Sequence, residues 1–328
     1  MSLWRRTASI ATFLVFAGAA HAAPNADQVL DEMGFSAAER QRILDGEFVT
    51  SKIGAVSDRD LSFAVAFMIR TTPEALSAQA VDAALVVDDP QVKIHGMLSS
   101  PGSLADFSGL HITDEEARAL SKAESGSGMN GSAAEHASFT ALRGGTTQAV
   151  ESRLHEMLLA RYQSYRTSGL SGIASYDRAG GAVVDVASDL TKAVRSATAL
   201  QKHMPALYAA LLDFPRATLP GMKQSFLWVK SIIRDKPTYV LAHILAAGDG
   251  ETRAVVRREY YVSTGYEAEQ SIAGFLPISG GTLVLCMSHA FTDQVGGSGS
   301  SMKRSIGNRA MASQMKEIFE RGRKRIEK

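Results

Sequence analysis

The sequence predicts an α+β fold in which antiparallel strands are closed by one long C-terminal helix. Three observations carry that reading. First, the runs 225–233, 239–246, 253–263 and 282–291 are apolar or alternating and lie close together, with turn residues between them. Such spacing favours antiparallel neighbours. Second, from about 300 to 325 the residues Met311, Met315, Ile318, Phe319, Gly322 and Ile326 fall on one helical stripe. Third, the middle of the chain, about 102–218, reads mostly as helices.

Taken in order, residues 1–22 combine Arg5 and Arg6, an apolar run from Thr7 to Ala20, and small residues in Ala20-His21-Ala22. This is the layout of a secretory signal peptide. The apolar run is short for a membrane span, which needs about 20 residues. Residues 27–33 and 36–44 follow as two short helices, with Gly34 ending the first and Ser36 capping the second. Residues 47–53 alternate weakly, as a strand would. The run 61–69 is apolar on both parities, which suits a strand buried on both faces. Thr72 and Pro73 then open a helix to about residue 82.

In the middle region, Thr113 caps a helix over 114–122 whose first turn is acidic. Residues 125–132 read as a loop. Residues 148–168 carry Val150, Leu154, Met157, Leu158, Arg161 and Tyr165 on one stripe, and Gly169 supplies the stop. Helices over 188–201 and 205–212 complete the region. Beyond it, Asp235-Lys236-Pro237 and Gly248-Asp249-Gly250 are turn chemistry between strands. A fifth strand over 270–278 joins the next through Ser279-Gly280-Gly281, with Pro277 required to lie at its end or edge.

Charge and composition narrow the function. Cutting after residue 22 removes two arginines and no acid, so the formal charge falls from +1 to −1. A near-neutral chain is not built as a general nucleic-acid binder. The C-terminal helix is locally basic, with nine Lys or Arg against three Glu between Lys303 and Lys328. That suits a solvated face on a helix whose other side covers the sheet, with peripheral contact with an anionic membrane or partner as the alternative. The lone cysteine, Cys286, cannot form an internal disulfide and sits in a strand run as a small buried apolar residue. His289 follows three residues later, which on a strand places it on the opposite face.

No Gly-x-Ser-x-Gly elbow, phosphate loop or dinucleotide fingerprint is present, and no cofactor is expected. The histidines are scattered and give no metal site by spacing. Parity puts Arg258 and Tyr260 on one face of their strand, and Arg257, Glu259 and Tyr261 on the other. If one sheet face lines a pocket, Trp228, His243, Arg258, Tyr260 and His289 give an apolar cavity with a few polar anchors. The same residues also fit an outer face making cross-strand pairs.

Antiparallel strands closed by a long C-terminal helix, with the early strand 61–70 leading through Thr72-Pro73-Glu74-Ala75 into a helix, resemble the helix-grip arrangement of START-like lipid-transfer domains and their polyketide-cyclase relatives. The chain as a whole is also similar to uncharacterised exported proteins of proteobacteria. The resemblance implies a curved antiparallel sheet gripping the helix around an apolar cavity. It implies one domain over 23–328, with a helical insertion at about 102–218. The expected function is a periplasmic or secreted carrier of a hydrophobic or amphipathic small molecule, including lipid, with Arg258 or a histidine at its head group. The alternatives are an exported hydrolase or cyclase using His243 or His289 as base, and an envelope module docking through the basic helix.

Overall fold

The computed structural model describes residues 24–81, 88–296 and 299–327. The expected signal peptide, the last residue of the helix expected to end at 82, and part of the Gly296-Gly297-Ser298-Gly299 turn lie outside these residues.

Two short helices open the structure, α1 (Ala26–Glu32) and α2 (Ala37–Leu44). Ser36 and Glu39 form a reciprocal capping box that fixes where α2 starts. Then follow β1 (Val49–Ser51), β2 (Asp60–Ile69), α3 (Pro73–Val81) and β3 (Val92–Met97). The helical region holds α4 (Asp114–Leu120), α5 (Ala133–Thr140), α6 (Thr147–Ser168), a small hairpin of β4 (Tyr176–Asp177) and β5 (Val183–Val184), α7 (Val186–Ser196), α8 (Thr198–His203) and α9 (Pro205–Asp213). A meander of β6 (Lys223–Ile233), β7 (Lys236–Asp249), β8 (Thr252–Val262), β9 (Ala268–Ile278) and β10 (Gly281–Phe291) leads to α10 (Ser300–Ile326).

Eight strands form one curved antiparallel sheet in the order β1-β2-β10-β9-β8-β7-β6-β3. The early strand β2 pairs with the last, β10, so strands far apart in sequence are neighbours in the sheet. The fold is α+β, with α10 packed on the sheet. One face carries α3 and α10. Phe67, Val229, Val240, Val255, Phe275 and Val284 from the strands meet Leu76, Ala80, Phe319 and Ile326 there. The helices of the middle region cover most of the other face, and α1 and α2 cover its β1–β2 end. Both faces are therefore dry, which explains why β2 is apolar on both parities.

Local chemistry accounts for the differences from expectation. The β6–β7 turn falls at Arg234 and Asp235, both at positive φ (50° and 62°), so Lys236 and Pro237 already belong to β7. The helix expected over 188–201 is split at Ala197, which ends α7 and opens α8 with ψ 63°. Between β7 and β8 the pairing slips, with Leu241 opposite Tyr261 and Ala242 opposite Glu259. This β-bulge inserts Tyr260, and both Tyr260 and Tyr261 join the core beneath the middle helices. Simple alternation had placed Tyr261 on the other face. At the sheet edge Gly96 lies opposite Trp228, where a Cβ would come within 2.6 Å of the indole. Only glycine lets the two strands close over that ring.

Candidate functional site

Beneath α10 the sheet does not close completely. An apolar cavity of about 130 Å³ lies between α10, α3 and the strands, with Phe67, Leu76, Phe275, Val284, Phe319 and Ile326 in its wall. A second compartment of about 260 Å³ continues toward the start of α10, past Met311 and Gln314. The two share Asp89, Val92, Arg257 and Glu269. The stripe foreseen on α10 is the roof, since Met315, Ile318, Phe319, Gly322 and Ile326 all face the first compartment.

Where the compartments join, the floor turns polar. Glu259 on β8 pairs directly with Glu269 on β9. Like charges in that position repel. The Arg257 guanidinium meets Glu259 at 2.6 Å, and the hydroxyl of Tyr266 donates to Glu259. The hydroxyl of Ser288 donates to Glu269 at 2.9 Å. Burial, then the neighbouring Glu259, hold the Glu269 carboxyl well above the usual carboxylate range, against the opposing pull of Arg257. The Arg257 Nε is buried and has no hydrogen-bond partner among the described residues. Cys286 lines the apolar part, and burial pushes its thiol up to about 12, the mark of an inert side chain.

The five residues singled out by sequence share one face, and it is the face away from this cavity. His243, Arg258, Gln270, His289 and Ser62 are successive cross-strand partners on five adjacent strands, forming one buried polar row under the middle helices. Strand parity is the reason: Arg257 and Arg258 are neighbours in sequence and point to opposite layers. Arg258 is fully buried and gives its donors to Gln270 Oε1 (2.9 Å), the Tyr165 hydroxyl (3.2 Å) and the carbonyl of Leu211 (2.9 Å). Tyr260 stacks on Tyr165 with ring centroids 4.0 Å apart. His243 Nδ1 lies 3.0 Å from the Tyr165 hydroxyl, and burial followed by the Arg258 charge depresses its pKa well below the ordinary value. Trp228 donates its indole N–H to the carbonyl of Asp106 at 2.8 Å. None of the five lines the cavity under α10. Arg258 and the histidines are thus turned away from any head group bound there.

His289 has different company. Its Nδ1 is 2.8 Å from Asp60 Oδ2, and its Nε2 is 3.0 Å from the Ser196 hydroxyl at the end of α7. Sequence reading raised His289 as a base and missed both partners, because residues 60, 196 and 289 are brought together only by the β2–β10 pairing and the docking of α7.

Among the described residues no group of three or more His, Cys, Asp or Glu is placed to hold a metal ion, and no helix is long and apolar enough to cross a membrane. Comparison with known protein families, with characterised proteins and with solved structures finds no match.

Proposed function

We propose that the protein binds a compact amphipathic molecule beneath α10, with its apolar body against Phe67, Leu76, Phe275 and Phe319 and its polar end at Arg257 and Glu269. The supporting observation is the cavity itself: an apolar chamber that ends in a small, partly buried group of ionisable side chains. Ligand sites have that composition, and a carboxyl with a raised pKa in a cleft is a common companion. Size narrows the ligand. A dry cavity of roughly 150 Å³ accepts a molecule such as benzene. The 130 Å³ chamber with its neighbouring compartment therefore suits one alkyl chain or a small ring system, and a two-chain lipid requires α10 to move. Charge narrows it further. Arg257 faces Glu259, Glu269 and Asp89, while Arg234 and Arg323 line the outer parts of the two compartments, so the carboxyl oxygens at the junction favour a head group that donates hydrogen bonds without a strong preference for net charge. The signal-like residues 1–22 support an exported carrier.

The test is titration with the neutral fluorophore N-phenyl-1-naphthylamine. Ala273 lines the chamber from β9, so Ala273→Phe fills it while leaving every residue of α10 unchanged. Saturable one-site binding that weakens at least tenfold in this variant supports the reading. Binding that is absent, or unchanged by the substitution, overturns it.

A further inference from the structure

On the opposite face of the sheet, Ser196, His289 and Asp60 are arranged as a nucleophile, a base and an orienting carboxylate. Asp60 is fully buried at the start of β2, and His289 is 1 % exposed on β10. The Asp60 Oδ2 atom accepts from the Val56 amide (2.8 Å) and lies 2.8 Å from His289 Nδ1. A carboxylate has no proton to give, so Nδ1 carries the hydrogen and Nε2 is left as an acceptor. The Ser196 Oγ sits 3.0 Å from that Nε2, and the other acceptor within its reach is the Ala193 carbonyl at 2.9 Å. The tautomer is therefore fixed in the sense that lets His289 take the serine proton.

A second feature separates this group from an ordinary buried hydrogen-bond chain. The base and carboxylate are sealed, but the serine is partly exposed. It stands at the end of α7, beside exposed Arg195 and one turn from exposed Lys192, which pairs with Asp189, so the serine is the member of the group nearest solvent.

We infer that Ser196 is an activated nucleophile toward small esters, with His289 as its base and Asp60 as the group that orients it. The step balances as an ordinary acyl transfer. The Ser196 Oγ bonds to the acyl carbon while its proton passes to His289 Nε2. The alkoxide leaving group departs with that proton. Water then attacks the acyl-serine, gives its proton to His289, and the carboxylic acid leaves as the serine hydroxyl is restored. Asp60 keeps its hydrogen bond to Nδ1 and holds the ring in place throughout. This activity does not depend on the cavity under α10, which lies on the other face of the sheet.

The experiment treats the purified protein with a fluorophosphonate and maps adducts by tandem mass spectrometry, with p-nitrophenyl acetate hydrolysis in parallel. The expected result is an adduct on Ser196, no label at that peptide and loss of hydrolysis in Ser196→Ala, and labelling about 100-fold slower in His289→Gln, the usual scale of general-base catalysis. Folding of each variant is checked by circular dichroism. Should the buried His289→Gln change prevent folding, the wild type and the partly exposed Ser196→Ala decide the matter between them. Folded wild-type protein that gains no adduct on Ser196 while a control serine hydrolase is fully labelled overturns the assignment. Labelling equally fast in folded His289→Gln also overturns it.

Discussion

Phe319→Ala measures how α10 is held over the sheet. The Phe319 ring centroid lies 5.0 Å from Phe67 and 6.3 Å from Phe48, and those two rings stack at 5.5 Å. A fully buried Phe→Ala change costs about 3–5 kcal/mol. Phe319 is only half-buried, so its transfer share is closer to ~1–1.5 kcal/mol. Two aromatic contacts add about 0.5–1.5 kcal/mol each. The expected loss is about 2–4 kcal/mol, read by urea unfolding followed by far-UV circular dichroism and by the fluorescence of buried Trp228. Cys286 supplies a local reading, since it lies in the same chamber. If α10 opens as a unit, a loss of 2 kcal/mol speeds Cys286 alkylation about 30-fold, because each 1.4 kcal/mol is a factor of ten. A loss under about 0.5 kcal/mol, with alkylation unchanged, would refute the packing of α10 through these rings.

Three further outcomes follow from the buried polar groups. His243 stays neutral in the fold at a pH where an unfolded histidine is charged; below about pH 6.5 the unfolded chain binds the extra proton, so stability falls on acidification by up to about 1.4 kcal/mol per pH unit, and His243→Phe lessens that slope in urea titrations at pH 5 and 7. Glu269 shows the opposite sign: its folded pKa is raised, so its share of stability is fully present below the unfolded value and is lost as pH rises through the folded one, and Glu269→Gln removes that decline in unfolding curves at pH 5, 6 and 8. Arg258→Ala strands Gln270 Oε1 and the Leu211 carbonyl in a dry layer, leaves the Tyr165 hydroxyl with His243 alone, and is expected to cost about 3 kcal/mol or more, seen as a lower thermal midpoint with unchanged far-UV spectrum at low temperature.

Much of the architecture is legible because patterns are local. The α10 stripe, the Ser36 cap and the meander from β6 to β10 are written within single elements, and the structure reproduces them. Less local features escaped. β3 is an edge strand that exists because β6 offers it a partner, and the need for Gly96 shows only once Trp228 is seen across from it. α5 is short, and its capping box of Ser132 and Glu135 sits in what looks like a loop. The site divides along the same line. Parity places Arg258 with Tyr260 on β8, and only the cross-strand register brings them to one face with Trp228, His243 and His289; nothing within a strand says which layer that face meets. The polar floor of the cavity was present as Arg257 and Glu259 on the other parity. Glu269 joined them only through the β8–β9 register, which no single strand encodes.

Native mass spectrometry of the protein purified from a bacterial host, followed by organic extraction, tests the cavity under α10 most directly. The predicted result is one small amphipathic molecule bound per chain, released by solvent and missing from Ala273→Phe prepared in the same way. A bare mass for the wild type, together with no displacement of N-phenyl-1-naphthylamine by the extract, would contradict it.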